Sequence, residues 1–457
     1  MHDKYIYLKR NKYFVLEPEA KIKKRKLEYF EKYEFNKNIE FKNKIYGRIN
    51  KEMIIKALAN TLQITFEVTE NCNLECKYCG YGNFYKGKTS IRNRRNLSIE
   101  YAKMFLDYMN VLWKSNFNFS YKKNVFISFY GGEPLLNTAF IIEIIQYVNN
   151  FNTIVPKFSM TTNALLLKKN IDILVKNKIH LLISLDGNKE NNSYRIHKNQ
   201  KESFNEVIEN IDFVNNNFPE YFNEFIQFNS VLHNKNSVNK AFTYIFEKYK
   251  KTTTISELNT TGIEPSIKEE FWNTYVNLFE NLNQSKDYKF IREKLFLNSP
   301  DINSTSKFLH QYTNNVYKTY LDFFKDAKAG IFLPTGTCIP FSRKVFITAN
   351  GEIIQCEKIS NTLPFGNITK EGVEIYFDKI IKKTNDTYDK LKEYCINCNR
   401  ANNCNQCIFN LEINNSKIIC NGYSPLKKSE NSFDNFINPL LKERKLYKKI
   451  LKKVYYE

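Results

Sequence analysis

An α/β fold, a partial (β/α)6 TIM-like barrel followed by a small cysteine-rich domain, is what this sequence predicts. Strand and helix patterns alternate from residue 61 to about 258, as in a parallel sheet with helical crossovers. Glycine-bearing and polar motifs recur after those strands, where sites of such folds lie. Seven of the ten cysteines then fall within residues 336–425.

The chain has 457 residues, enough for two or three domains. Residues 1–60 precede the barrel. Tyr5-Ile-Tyr-Leu and Tyr13-Phe-Val-Leu flank Lys9-Arg-Asn-Lys12 and read as a hairpin. A basic run follows, Lys21 to Lys26, and a short helix is expected over Glu52 to Asn60. This leader either docks a partner chain or packs as an edge hairpin on the barrel.

The first barrel strand is Leu62 to Val68, with Leu62, Ile64, Phe66 and Val68 on one face. It runs into Cys72-x3-Cys76-x2-Cys79. Three thiolates on one short loop can hold a soft metal centre. A cubane cluster normally takes four, so three leave one iron free. A structural zinc also wants four ligands, and an odd set on one tight loop suits disulfides poorly.

Ser98 caps a helix from Ile99 to about Lys114. Strand 125–130 leads into Gly131-Gly132-Glu133-Pro134, where glycines permit close backbone approach and a carboxylate can pair with an amine. Helix 137–150 follows, with Ile141, Ile144, Ile145 and Val148 at helical spacing. Strand 158–162 ends at Thr161, Thr162 and Asn163, and helix 168–177 comes next. Strand 181–185 ends at Ser184 and Asp186, before helix 203–217. Strand 225–232 carries Asn229, helix 237–250 follows, and 252–258 is the sixth strand. Residues 259–335 form a bridge with helical patterns at 268–283 and 307–326, and 426–457 ends in a basic docking helix.

Lys and Arg number 69 against 48 Asp and Glu, a net charge of +21. The basic residues are spread along the chain, and no helix-turn-helix signature appears, so charge is read as solvated surface rather than a nucleic-acid footprint. No membrane span or secretion signal stands out, and a cytoplasmic chain is expected. Cysteines in such a chain point to metal ligands.

In the C-terminal region Cys338 precedes Gly351 and Cys356, then Cys395-x2-Cys398-x5-Cys404-x2-Cys407, then Cys420. Phe346 to Cys356 reads as a hairpin turning at Asn350-Gly351. Two C-x2-C pairs also fit a pair of zinc ribbons.

The cysteine loop, with Tyr78 before its last cysteine, resembles the cluster loop of radical S-adenosylmethionine (SAM) enzymes, and the resemblance extends over roughly residues 60–425. It implies a [4Fe-4S] cluster on Cys72, Cys76 and Cys79, whose free iron chelates the amino and carboxylate groups of SAM. Gly131, Gly132 and Glu133 resemble the motif for the SAM amino group. Thr162, Asn163, Ser184 and Asp186 resemble strand ends that contact its nucleoside and methionine parts. Arg195 matches an arginine that pairs the carboxylate.

The later cysteines resemble the SPASM domain of radical SAM peptide-modifying enzymes, which carries two auxiliary iron–sulfur clusters. That family commonly has three residues between its fifth and sixth cysteines, where this chain has two. Its crossed pattern implies one cluster on Cys338, Cys356 and Cys407, one ligand short, and another on Cys395, Cys398, Cys404 and Cys420. The implied activity is reductive cleavage of SAM to a 5′-deoxyadenosyl radical. The implied substrate is a ribosomally synthesised precursor peptide receiving a thioether or carbon–carbon crosslink. A reductant protein such as a flavodoxin or ferredoxin supplies the electron. The alternatives are sulfatase maturation, oxidising Cys or Ser to formylglycine, and a zinc-ribbon protein that binds nucleic acid.

Overall fold

The computed structural model describes residues 5–9, 12–16, 22–26, 47–85, 94–119, 122–260, 262–296, 339–357 and 364–398, with short pieces between 299 and 334 and between 406 and 450. Two compact units divide the chain. The larger comprises residues 49–295 and 338–382, and the smaller comprises 1–48, 296–337 and 383–457.

In the smaller unit β1 (Tyr5–Lys9), β2 (Lys12–Leu16) and β3 (Ile22–Lys26) form an antiparallel sheet with β2 in the middle. The expected hairpin is present, with Lys9 opposite Lys12. The basic run after it is a third strand, paired with β2 from Lys12↔Lys26 to Leu16↔Ile22. Charge hides strand propensity here, because the run lacks the apolar alternation that marks a half-buried strand.

The larger unit is built on one sheet of ten strands. Helix α1 (Lys51–Ala59), capped by Asn50, leads into it. Strands β4 (Gln63–Thr69), β5 (Lys123–Gly131), β6 (Ile154–Thr162), β7 (His180–Ser184), β8 (Ile226–Val231) and β9 (Thr253–Ser256) are the six expected. They lie in sequence order and pair in parallel throughout. The helices between them are α2 (Ile99–Lys114), α3 (Thr138–Asn149), α4 (Ile171–Lys176), α5 (Phe204–Asn217), α6 (Pro219–Phe225) and α7 (Val238–Tyr249).

Local chemistry explains the boundaries. Ser98 accepts the Tyr101 N–H and starts α2, whose Ala102, Phe105, Leu106, Met109 and Trp113 are buried on one face. Helix α6, absent from the sequence reading, starts on Pro219, whose fixed φ suits a first helical position. The pattern at 268–283 is two helices, α8 (Lys268–Thr274) and α9 (Leu278–Asn283). Tyr275 turns extended, and Asn277 caps the second helix by accepting the Glu280 N–H. Helix α10 (Tyr288–Leu295) follows. The expected helix at 307–326 lies outside the described residues, as does most of the basic C-terminal helix.

The alternating pattern of β4 predicts one buried face, yet both faces are buried. Strands of such parallel sheets are covered on both faces, and β10 (Val345–Ile347) pairs in parallel with β4 along the edge away from β5. Strands β11 (Glu352–Ile354), β12 (Gly366–Thr369) and β13 (Gly372–Ile375) then extend the sheet as an antiparallel meander. The hairpin turns where expected: Thr348 C=O accepts the Gly351 N–H, and Gly351 takes φ +87°. The carboxylate of Glu67 accepts the Ala349 N–H at 3.0 Å. Helix α11 (Phe377–Ile396) follows, with Ile380, Tyr388, Leu391 and Cys395 buried along it. In the smaller unit, a last hairpin joins β14 (Glu412–Asn414) and β15 (Lys417–Ile419).

Candidate active site

The cysteine loop leaves the C-terminal end of β4 and is held on two sides by backbone. On one side the Gly132 N–H donates to Thr69 C=O, and the Glu133 N–H to Asn71 C=O, both at 2.8 Å. On the other, the Glu75 N–H donates to Ile196 C=O and the Lys77 N–H to Tyr194 C=O, while Leu74 bridges His197. The loop thus closes across the ends of β5 and β7.

The glycines are explained by this clamp. A Cβ on Gly131 would lie 2.2 Å from Thr69 O, and φ is +138° there. A Cβ on Gly132 would lie 2.0 Å from Asn71 O. The close approach expected at these glycines is therefore made to the cysteine loop's own backbone.

Cys72, Cys76 and Cys79 are not in disulfides. Burial pushes the Cys72 thiol up to about 11 and the Cys76 thiol up to about 12. Nucleophilic cysteines have the opposite shift. Such thiols become anions when a metal centre displaces their protons. No three His, Cys, Asp or Glu side chains among the described residues converge on a single ion. A cubane takes its thiolates on separate corners and does not require that convergence. The Leu74 N–H lies 3.4 Å from the Cys72 sulfur and Asn163 Nδ2 lies 3.8 Å from it. Hydrogen bonds to cluster sulfurs tune such centres.

Glu133, 1% exposed, sits beneath the loop. Its carboxylate accepts the Thr162 hydroxyl at 2.8 Å, the Asn163 N–H at 2.8 Å and the Leu135 N–H at 3.2 Å. Burial nevertheless lifts its carboxyl from 4.5 to about 7. A carboxyl raised in the fold favours the native state when protonated. Glu133's contribution to stability is therefore full below 4.5, falls as pH climbs to about 7, and is level above that. Glu133→Gln is expected to abolish this fall, which amounts to about 2–3 kcal/mol. Urea unfolding of the cluster-free protein at about pH 4.5 and about pH 8 measures it. An unchanged difference between the two would sink the assignment.

Asp186, fully buried, organises the opposite side. Its Oδ2 accepts the Tyr78 hydroxyl and, at 3.0 Å, Arg195 Nε. Its Oδ1 accepts Arg195 Nη2 at 3.0 Å and the Val231 N–H at 2.8 Å. A carboxylate has about four lone-pair sites, and these four bonds fill them. Burial alone would raise this carboxyl, but the Arg195 guanidinium outweighs it and holds the group at about 2. Arg195 also lies over the Tyr78 ring, 5.3 Å from its centroid. Because Tyr78 stands between Cys76 and Cys79, one carboxylate ties the cysteine loop to the arginine. Two of the five guanidinium N–H groups are spent on Asp186, so the rest can face an anion.

Ser184 and Asn229 are register partners on β7 and β8, opposite in facing to the buried Ile183 and Phe228. Asn229 accepts the Ser256 hydroxyl at 2.9 Å. The structure therefore brings Tyr78, Gly131, Gly132, Glu133, Thr162, Asn163, Asp186 and Arg195 around the loop, with Ser184 on the neighbouring strand. Sequence reasoning missed His233, buried and stacked on Tyr78 with ring centroids 5.3 Å apart. No motif marks it. Of the later cysteines, Cys338 and Cys404 lie outside the described residues. Cys395 and Cys398 are buried at the end of α11, the Cys398 N–H donating to Cys395 C=O.

A parallel barrel sheet thus carries three cysteines at the tip of its first strand, clamped by a Gly-Gly-Glu turn. Residues 66–237 match the radical SAM superfamily, and this stretch is a radical SAM domain. A cysteine-type anaerobic sulfatase-maturating enzyme of Clostridium novyi (strain NT) is 34% identical over 152 residues, which are 32% of this chain and 38% of that protein. The radical SAM cyclopropyl synthase TigE of Paramaledivibacter caminithermalis is 26% identical over 164 residues, 34% of this chain and 33% of that one. The matches thus span well under half of these relatives. The solved structure of native anSMEcpe with bound AdoMet and Cp18Cys peptide shares the fold, with a TM-score of 0.56 and 18% identity over 86% of this chain and 100% of that one. No helix among the described residues is long and apolar enough to cross a membrane.

Proposed function

We propose that this chain is a radical SAM enzyme that cleaves SAM reductively and modifies a ribosomally synthesised peptide by a thioether or carbon–carbon crosslink. The observation that carries the reading is the Cys72/Cys76/Cys79 loop, fixed between Gly132–Glu133 and Tyr194–Ile196 at the tip of β4. Cys72, Cys76 and Cys79 would hold the cluster. When bound, the cluster and SAM together supply a 5′-deoxyadenosyl radical that takes hydrogen from an unactivated carbon. The chain's part is to bind, orient and exclude water. Arg195, braced by Asp186, offers its remaining N–H groups to the SAM carboxylate. Glu133 offers a buried carboxylate to the amino group. Asn163 donates toward the Cys72 sulfur. Ser184 and Asn229 present neutral polar groups to the rest of the ligand.

The peptide substrate is favoured by the second cysteine set, Cys338 to Cys420, whose spacing resembles the SPASM domain of peptide-modifying enzymes. Cys338, Cys356, Cys395, Cys398, Cys404, Cys407 and Cys420 would hold two auxiliary clusters, and a flavodoxin or ferredoxin would reduce the Cys72/Cys76/Cys79 cluster. Sulfatase maturation is the second reading, favoured by the 34% identity to a cysteine-type maturase. The radical SAM domain speaks against the zinc-ribbon alternative. Anaerobically purified protein is expected to carry roughly twelve irons, as three cubanes require, and to yield 5′-deoxyadenosine from SAM under reduction. Zinc in place of iron would overturn the proposal. Formylglycine formed on a Cys-bearing sulfatase peptide, without crosslinking of a precursor peptide, would decide for the second reading.

A further inference from the structure

His233 stands in the loop after β8, with no solvent exposure. Its backbone N–H donates to Asn236 Oδ1 at 2.9 Å, and Asn236 Nδ2 in turn donates to Val231 C=O at 2.8 Å. The loop is therefore closed on itself. The imidazole is fixed as well. Its Nδ1 accepts the Lys235 N–H at 3.2 Å, which leaves the ring proton on Nε2. One face of the ring lies nearly parallel to Tyr78, at 24° and 5.3 Å. Tyr194 packs on it at 4.8 Å.

Nε2 has no hydrogen-bond partner among the described residues. It lies 3.7 Å from Asp186 Oδ2, the oxygen that also receives the Tyr78 hydroxyl and Arg195 Nε. A buried N–H without an acceptor is costly, so its placement needs a reason. The geometry supplies one: at 3.7 Å, beyond hydrogen-bond reach, Nε2 lies beside the carboxylate that joins the cysteine loop to Arg195, where attraction to its charge needs no free lone pair.

We propose that His233 is a positioning residue for this site. It stacks on the Tyr78 ring and holds its Nε2 edge beside the Asp186 carboxylate. In doing so it sets where Tyr78 and Arg195 stand, and with them the segment from Cys76 to Cys79. This rests on the reading of the site as a cluster and SAM site. Partners one shell out from metal ligands carry effects of this kind.

The test compares three variants in the reconstituted protein. His233→Phe keeps the ring and removes the donor. His233→Gln can place its amide near Nε2, whereas His233→Asn reaches only the Nδ1 position. The electron paramagnetic resonance signal of the reduced cluster is recorded with and without SAM. Wild-type protein should change its signal on SAM addition. Absence of that change would count against the site reading itself, and the positioning role would fall with it. Given the change, His233→Phe and His233→Asn should weaken SAM binding about tenfold and alter the SAM-bound signal, with His233→Gln close to wild type. Should His233→Phe not fold, the Gln and Asn pair decides alone. Hydrogen exchange of residues 72–82 in cluster-free protein should quicken in Asn and not in Gln. SAM affinity and signal unchanged in both Phe and Asn variants, or equally impaired in Gln and Asn, would overturn the role.

Discussion

Cys76→Ala is expected to make no 5′-deoxyadenosine from SAM, under reducing conditions in which the parent protein does. Cys76 is the middle cysteine of the three, and its thiol packs against the buried group of Tyr78, Phe84, Tyr85, Leu258 and Phe271. Removing it leaves two sulfurs on a loop that would offer a cubane three. Such a cluster is lost or displaced. The fold should survive, because the loop is held by backbone bonds to Gly132, Glu133, Tyr194 and Ile196 that the substitution leaves in place. Iron should fall by about four per chain while any auxiliary clusters remain. Thermal unfolding and metal analysis accompany the assay. Product formed at the parent rate would mean that the loop is not the site of SAM cleavage.

Most of the barrel was legible, because each strand and helix announces itself within a dozen residues. Ser98 caps α2 where a hydroxyl precedes an apolar helical stripe. The glycines at 131 and 132 were legible as a close approach, but not what they approach. That partner is Thr69 and Asn71, some sixty residues earlier, and local periodicity carries no record of such pairing. The same limit hid the pairing of β10 with β4 and the bond from Glu67 to Ala349, 282 residues apart. Asp186 and Arg195 were legible as separate ligand contacts. Their mutual bond changes the reading, since a carboxylate already filled by four protein donors organises a site instead of meeting a ligand. His233 gave no signal because one histidine between Leu232 and Asn234 has no spacing to read.

The second large effect is expected at Asp186, and it separates organisation from contact. In Asp186→Asn the amide nitrogen puts two donors where an oxygen receives either the Tyr78 hydroxyl and Arg195 Nε, or Arg195 Nη2 and the Val231 N–H. Whichever way the amide turns, donor meets donor. Arg195, only 7% exposed, also loses its counter-charge. Breaking one side of a buried pair costs about 3–5 kcal/mol. The wild-type contribution has a definite pH window. Asp186 is held at about 2 against 3.8, so its stabilisation is present above 3.8 and is lost as pH falls through about 2. Asp186→Asn should thus unfold at clearly lower urea than the parent at neutral pH, and the gap should narrow in acid. SAM affinity should fall as well, although Asp186 has no lone pair left for the ligand, because Arg195 and Tyr78 lose their brace. If stability drops by less than about 0.5 kcal/mol while SAM binding disappears, Asp186 meets the ligand directly and the organising role is wrong.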